Sequence, residues 1–244
     1  MKITYSILLL FLSWNIFGQT NSSTKPYFQQ TVNYSIDVKL NDSIHEIDGT
    51  IDIEYINNSP DDLSFIYFHL WPNAYQYNTA LAKQLKEDGN LKMHFAETEE
   101  LGNIRNLNFK ANGNTLSWEN YNKQEDIAIV RLNEPLKSGK TITIATPFTV
   151  KIPRSFSRLG HVEDSYQMTQ WYPKPAVYDR DGWHPMPYLN MGEFYSEFGS
   201  FDVKITLPKN YVVGATGVLQ TETEKAFLAK KVAMTNAFFE RDTF

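Results

Sequence analysis

Two runs of strict alternation constrain the fold more than any other feature of this chain. Val32, Tyr34, Ile36, Val38 and Leu40 are separated by polar residues; after Asn41-Asp42-Ser43 the series Ile47, Gly49, Ile51, Ile53 and Tyr55 alternates back. A period of two places alternate side chains on one face of an extended strand, so the pair predicts a hairpin of long antiparallel strands with one buried face. A third run, Leu63 to Leu70, is apolar on both faces and is expected to be covered on both sides.

The rhythm breaks at residues 78 to 88, where Ala80 to Glu87 are helix formers and Gly89-Asn90 is a stop, which predicts an inserted helix. Strands resume at Ile104 to Lys110, turn through Asn112-Gly113, and continue at Thr115 to Trp118, Ile127 to Leu132 and Thr141 to Ile152. Pro135-Leu136-Lys137-Ser138-Gly139 supplies the turn between the last two. The expected fold is mainly β, an antiparallel β-sandwich with a short inserted helix.

Cysteine is absent, so no disulfide holds this fold together, and 42% hydrophobic residues with 14% aromatics supply the core instead. At the N-terminus Lys2, the apolar run Ile7 to Phe17 and the small Gly18 read as an export signal over residues 1–18. The segment is short for a membrane span and is interrupted by Ser13 and Asn15, so no span is expected once it is removed. Its loss takes away one positive charge, Lys2, and moves the net charge from -5 to -6, which excludes a basic nucleic-acid surface. Residues 19–27 read as a tether and 28–220 as one domain. From Glu222 to Phe239 neither Gly nor Pro occurs, and Phe227, Leu228, Lys231, Val232, Thr235, Phe238 and Phe239 fit one face of a possible C-terminal helix. Residues 221–244 therefore read as the start of a following segment that is cut short.

The stretch Tyr166 to Gly217 sets Trp171 and Trp183 among Pro173, Pro175, Pro185, Pro187 and Pro208. Rings among prolines pack by burial rather than by a hydrogen-bond ladder. It runs into Phe201, Val203, Ile205 and Leu207, spaced as a half-buried strand. The order Gln170-Trp171-Tyr172-Pro173, Ala176-Val177-Tyr178-Asp179, Gly192 to Phe198, Leu207-Pro208 and Val213-Gly214-Ala215-Thr216-Gly217 resembles the N-terminal domain of aminopeptidase N-like zinc peptidases, most closely secreted bacterial ones. The resemblance spans roughly residues 28 to 220. It implies a saddle-like β-sandwich that caps a thermolysin-like catalytic domain, with zinc held in that other domain and a peptide as substrate.

The chain's own chemistry is sparse. A zinc peptidase needs His-Glu-x-x-His, two imidazoles one helical turn apart with a glutamate as base. Of His45, His69, His94, His161 and His184 only His45 precedes a glutamate, and position 49 is Gly49. No catalytic residue, metal ligand or cofactor site is therefore assigned to this chain. His161, Glu163, Asp164, Asp179, Asp181 and His184 are of metal-binding type but obey no ligand spacing, and Glu193 with Glu197 reads as surface charge rather than a glycosidase pair.

The resemblance singles out three residues for substrate binding. Gln170 matches the glutamine that hydrogen-bonds the peptide near its free amine, Tyr172 stands where a glutamate commonly follows, and Gln167 takes the role if the match slips by three. A glutamine that satisfies backbone groups of its own loop is the structural alternative. Two functions remain open: the non-catalytic N-terminal domain of an exported, periplasmic or secreted peptidase, or a stand-alone module that binds peptide or carbohydrate through Trp171, Tyr172, Tyr178 and Trp183.

Overall fold

A computed structural model describes residues 26–241, so the expected signal at 1–18 lies outside the described residues, as do most of the tether and Phe244. The chain divides into two compact units, Met1–Thr206 and Leu207–Phe244.

The first unit is a β-sandwich. The two alternating runs form β1 (Thr31–Asn41) and β2 (Glu46–Ile56), paired antiparallel along their whole length, with Val32, Tyr34, Ile36, Val38 and Leu40 buried against Ile47, Ile51, Ile53 and Tyr55. β3 (Leu63–His69) follows, with Ile66 and Phe68 fully buried on one face and Phe65 and Tyr67 half-buried on the other. The inserted helix α1 (Ala80–Glu87) starts where the Thr79 hydroxyl accepts from the Ala82 amide and buries Leu81 and Leu85 one turn apart. It ends with Asn90 N–H on the Leu85 carbonyl and Gly89 N–H on Lys86, Gly89 lying at φ +78. These paired bonds satisfy carbonyls that a helix end leaves free.

The expected strand at 104–110 is two short pieces, β4 (Asn103–Arg105) and β5 (Lys110–Ala111). Between them Asn106 turns to φ 63, and side chains replace the ladder: Asn106 Nδ2 donates to Thr149 Oγ1, and Asn108 N–H to Thr146 Oγ1. Asn112 and Gly113, at φ 51 and +81, form the tight turn from β5 into β6 (Asn114–Thr115). Both central residues need positive φ in such a turn. β7 (Trp118–Asn120), β8 (Ile127–Leu136) and β9 (Thr141–Lys151) complete this part. The chain continues through four short strands, β10 (Gly160–Val162), β11 (Ser165–Gln167), β12 (Lys174–Pro175) and β13 (Tyr178–Asp179), then β14 (Gly182–Trp183) and β15 (Phe201–Thr206).

One sheet runs β15-β1-β2-β9-β5-β6 with β4 also on β9; the other runs β12-β3-β8-β7. Their apolar faces meet where Phe68 of β3 touches Phe109, with ring centres 4.8 Å apart. A second apolar cluster gathers Trp71, Tyr75, Leu81, Leu85, Leu159 and Tyr188, and Met168, Trp171 and Phe194 pack against it. It anchors the proline-rich segment to the inserted helix.

β15 departs from expectation. It lies parallel to β1 at the sheet edge, with Val203 beside Ile36, and all six residues are exposed rather than half-buried. Phe201 stacks on Tyr34 at 4.5 Å. The pattern gave the strand correctly, but its apolar side chains stay exposed among the described residues. The strand reaches its place through Gly199, where an added Cβ would stand 1.6 Å from the Val32 carbonyl oxygen. Gly199→Ala is therefore expected to push β15 off β1 at a cost of about 1–3 kcal/mol. Hydrogen exchange checks this: amides of β15 should speed up while those shared by β2 and β9 do not, and unchanged protection of β15 would refute it.

In the second unit, α2 (Glu222–Arg241) is the C-terminal helix the sequence suggested. At 100° per residue, the seven residues from Phe227 to Phe239 that were assigned to one face span an arc of about 140°. Phe227, Val232, Phe238 and Phe239 on that arc are all exposed. No helix among the described residues is long and apolar enough to cross a membrane.

Candidate functional site

The proline-rich segment enters the β12-β3-β8-β7 sheet at β12, where Lys174 pairs with His69 and Pro175 with Phe68 of β3. Two proline rings flank Lys174, and Pro173 to Val177 are all buried. The lysine, 4% exposed, thus lies inside the fold. Its Nζ donates to Gln170 Oε1 at 2.6 Å and to Ser196 Oγ at 2.7 Å, and stands 4.3 Å from the centre of the Trp71 ring. No carboxylate forms an ion pair with it among the described residues. Burial pushes the ammonium down to about 7 from its ordinary 10.5.

Gln170, the residue singled out by the sequence, sits at φ 54, a left-handed conformation uncommon for a side-chain-bearing residue. The neighbouring Thr169 hydroxyl holds the Arg158 carbonyl at 2.8 Å, and Arg158 in turn donates to the Asn190 and Gly192 carbonyls. Gln170 is half-exposed, and its Nε2 makes no hydrogen bond among the described residues. Tyr172 packs edge-on against Tyr34 at 5.5 Å and Trp171 at 5.3 Å, and burial pushes its phenol up to about 12. Gln167 is exposed on β11, a hairpin with β10 that belongs to neither large sheet. The structure thus joins Gln170 to Lys174, Ser196 and Trp71.

Lys174 was not legible as a site residue. A lysine between prolines reads as a solvated charge, and only the pairing of β12 with β3 shows that it is inside. Ser196 and Trp71 likewise carry no motif.

Glu197, next to Ser196, is half-buried and pushed up to about 7, chiefly by desolvation, against a smaller lowering influence of the Gln29 side chain and the Gln30 and Tyr178 backbone. Its Oε1 is buried and unpartnered among the described residues. Glu193 is exposed.

The histidines do not fit a zinc centre. His45 stacks on His161 at 3.7 Å while its Nδ1 meets the Tyr166 hydroxyl at 2.8 Å, and His161 Nδ1 lies 3.2 Å from the Glu163 carbonyl. His184 pairs with Asp179 at 2.8 Å, and the Tyr195 hydroxyl donates to the other oxygen of the same carboxylate. His69 is buried flat on Trp71, its Nε2 accepting from the Met186 amide, and desolvation with help from Lys174 pushes it down to about 3. His94 lies against Phe95. No three metal-binding side chains converge among the described residues.

The four rings proposed as a contact surface are half-buried and engaged with other rings. Trp183 lies 4.9 Å from Tyr178 and 5.7 Å from Tyr67, Trp171 meets Tyr172 and Phe148, and Tyr178 also donates to Asp61 at 2.8 Å. Of two open surface depressions, of about 340 and 400 Å3, one is lined by Lys39, Leu40, Asn41, Asp42 and Asp48 and the other by residues around Asn112 and Pro135; Gln170 lines neither.

No protein-family model matches the chain, and no curated protein is detectably similar. Solved structures similar to it include an M1 zinc metallopeptidase from Deinococcus radiodurans, at 17% identity and a TM-score of 0.46. A mutant of that enzyme matches at 18% and 0.46, and a mutant bound to a Tyr-Ser-Ala substrate at 15% and 0.46. These neighbours are zinc metallopeptidases. In each case the likeness covers 79% of this chain and 36% of the other, so the chain spans little more than a third of their length. At such identity and TM-score the likeness decides no activity.

Proposed function

We propose that this chain is the N-terminal, non-catalytic domain of an exported aminopeptidase-like zinc metallopeptidase, and that it shapes the edge of a peptide cleft. Zinc, general base and oxyanion stabiliser belong on this reading to a catalytic domain outside the sequence, since no three metal-binding side chains converge among the described residues here. The observation that carries the reading is Gln170: the residue matched by the family resemblance is half-exposed on a pinned left-handed turn, its amide fixed on one side and free on the other. A glutamine that satisfied backbone groups of its own loop would bond a main-chain atom, whereas the only partner of the Gln170 side chain among the described residues is the Lys174 side chain.

The test uses the protein extended through a zinc-binding catalytic domain. Gln170→Ala is expected to lower kcat/KM by about 3- to 100-fold, the range from a neutral to a charge-assisted hydrogen bond, with zinc content unchanged. If kcat/KM stays within about twofold while the domain melts at lower temperature, Gln170 is structural and the reading fails.

A further inference from the structure

We infer that Lys174 sets the polarity of Gln170, so that the cleft edge presents a hydrogen-bond donor and selects a peptide carbonyl or carboxylate over an ammonium group. The choice of ligand rests on the cleft reading above; the polarity of the amide does not.

A glutamine side chain has an accepting end and a donating end, and a charged lysine only donates. The end of Gln170 that meets Lys174 Nζ at 2.6 Å is therefore the carbonyl oxygen, and Nε2 is left to face outward. The lysine is not free to withdraw. Its backbone is pinned beside His69, its Nζ is also bound to Ser196 Oγ at 2.7 Å, and the Trp71 face lies on a third side. At 4% exposure it has little water to turn to. Deprotonation leaves the arrangement intact, because a neutral amine still has two N–H donors for the same two oxygens.

An incoming ammonium would have to share Gln170 Oε1 with an amine that already donates to it, and while that amine is protonated two cations meet on one oxygen. Little adjacent offsets that repulsion: Tyr172, two residues on, is a phenol pushed toward its neutral form, Glu197 beside Ser196 is pushed toward its own neutral form by burial, and no carboxylate pairs with Lys174 among the described residues. A carbonyl or carboxylate meets the opposite situation, a free N–H on a preorganised amide with a buried cation behind it. Lys174 is thus a positioning residue that acts through Gln170.

The 244-residue chain, labelled with 15N and 13C, permits a test in two arms, with the Gln170 side-chain signals assigned by their loss in Gln170→Glu. Without ligand, the Gln170 carboxamide carbon should lie downfield of those of exposed glutamines, as expected for a hydrogen-bonded carbonyl. Lys174→Met should return it to their range, whereas Lys174→Arg and Ser196→Ala, which keep a donor in place, should not. With ligand, N-acetylalanine methylamide should shift the Nε2 signals at a concentration at least about threefold lower than alanine methylamide, whose amine is free. Lys174→Met should shrink or reverse that preference. A carboxamide carbon indifferent to both lysine substitutions overturns the inference whatever the ligands do. A native chain that prefers the free amine overturns it while leaving the cleft reading in place. If the amide responds to Lys174 but neither ligand moves it, the cleft reading fails and ligand selection falls with it, though the orientation of Gln170 stands.

Discussion

Trp71→Ala should unfold the first unit at markedly lower urea, with a loss of about 3–5 kcal/mol, the range for a buried tryptophan cut to alanine. The indole is 1% exposed and packs against Lys174 and the residues around it. His69 lies on it at 4.2 Å, Phe194 at 4.6 Å and Lys174 Nζ at 4.3 Å, while its Nε1 donates to the Met186 carbonyl at 3.0 Å. Truncation leaves that carbonyl without its donor and the lysine without its aromatic face. A domain stable by about 5–15 kcal/mol would lose a large part of its margin. Trp118, 38% exposed on β7, is the internal control, and its replacement should cost about 1 kcal/mol. Similar midpoint shifts for the two variants would show that the Trp71 cluster is not a second core.

Lys174→Met should do the reverse and stabilise the protein, by an amount that depends on pH. Unfolded, the lysine titrates at its ordinary 10.5; folded, at about 7. Below pH 7 both states hold the proton, so the folded chain bears the whole cost of a buried ammonium. Between 7 and 10.5 the unfolded chain binds a proton that the folded chain does not, and stability rises with pH. Above 10.5 the penalty is gone. The full shift corresponds to about 5 kcal/mol, but the Gln170 and Ser196 oxygens and the Trp71 face favour the ammonium and return part of it. We therefore expect the methionine variant to gain about 1–4 kcal/mol at pH 6, shrinking by pH 10. Urea midpoints at pH 6, 8 and 10 measure it. A loss at pH 6, or a gain that ignores pH, would mean that the ring and the two oxygens fully compensate the buried charge.

The elements that were legible in the sequence share one property: a single local rule decided them. Alternation sufficed for β1 and β2, and helix formers before Gly89 sufficed for α1. Asn112-Gly113 announced its turn. The elements that were misread depended on partners distant in sequence. The run Ile104 to Lys110 looked like one strand because the hydroxyls of Thr146 and Thr149, which take over the ladder at Asn106 and Asn108, belong to β9. Phe201, Val203 and Ile205 alternate as a half-buried strand should, yet alternation reports which face is apolar and not whether a second layer reaches it. At the site, Gln170 was visible through resemblance, whereas Lys174 was hidden because burial is a property of the assembled sheets.

The parallel pairing of β15 with β1 has a consequence for how the chain acquires its fold. Ser200 hydrogen-bonds Asn33, and Lys204 bonds Asp37, each across 167 residues. The β1–β2 hairpin needs only a short loop and can close within microseconds. Its outer partner, by contrast, must wait for nearly the whole first unit to be made. At roughly 5–20 residues per second of synthesis, the free edge of β1 stands open for about 8–35 s. For that interval Tyr34, Ile36 and Val38 sit on a strand with unpaired amides and carbonyls, the kind of edge other chains can adopt as a template. The alternating lysine and aspartates of that strand, Lys39, Asp37 and, beyond its end, Asp42, are the charges on hand to discourage such pairing until β15 arrives.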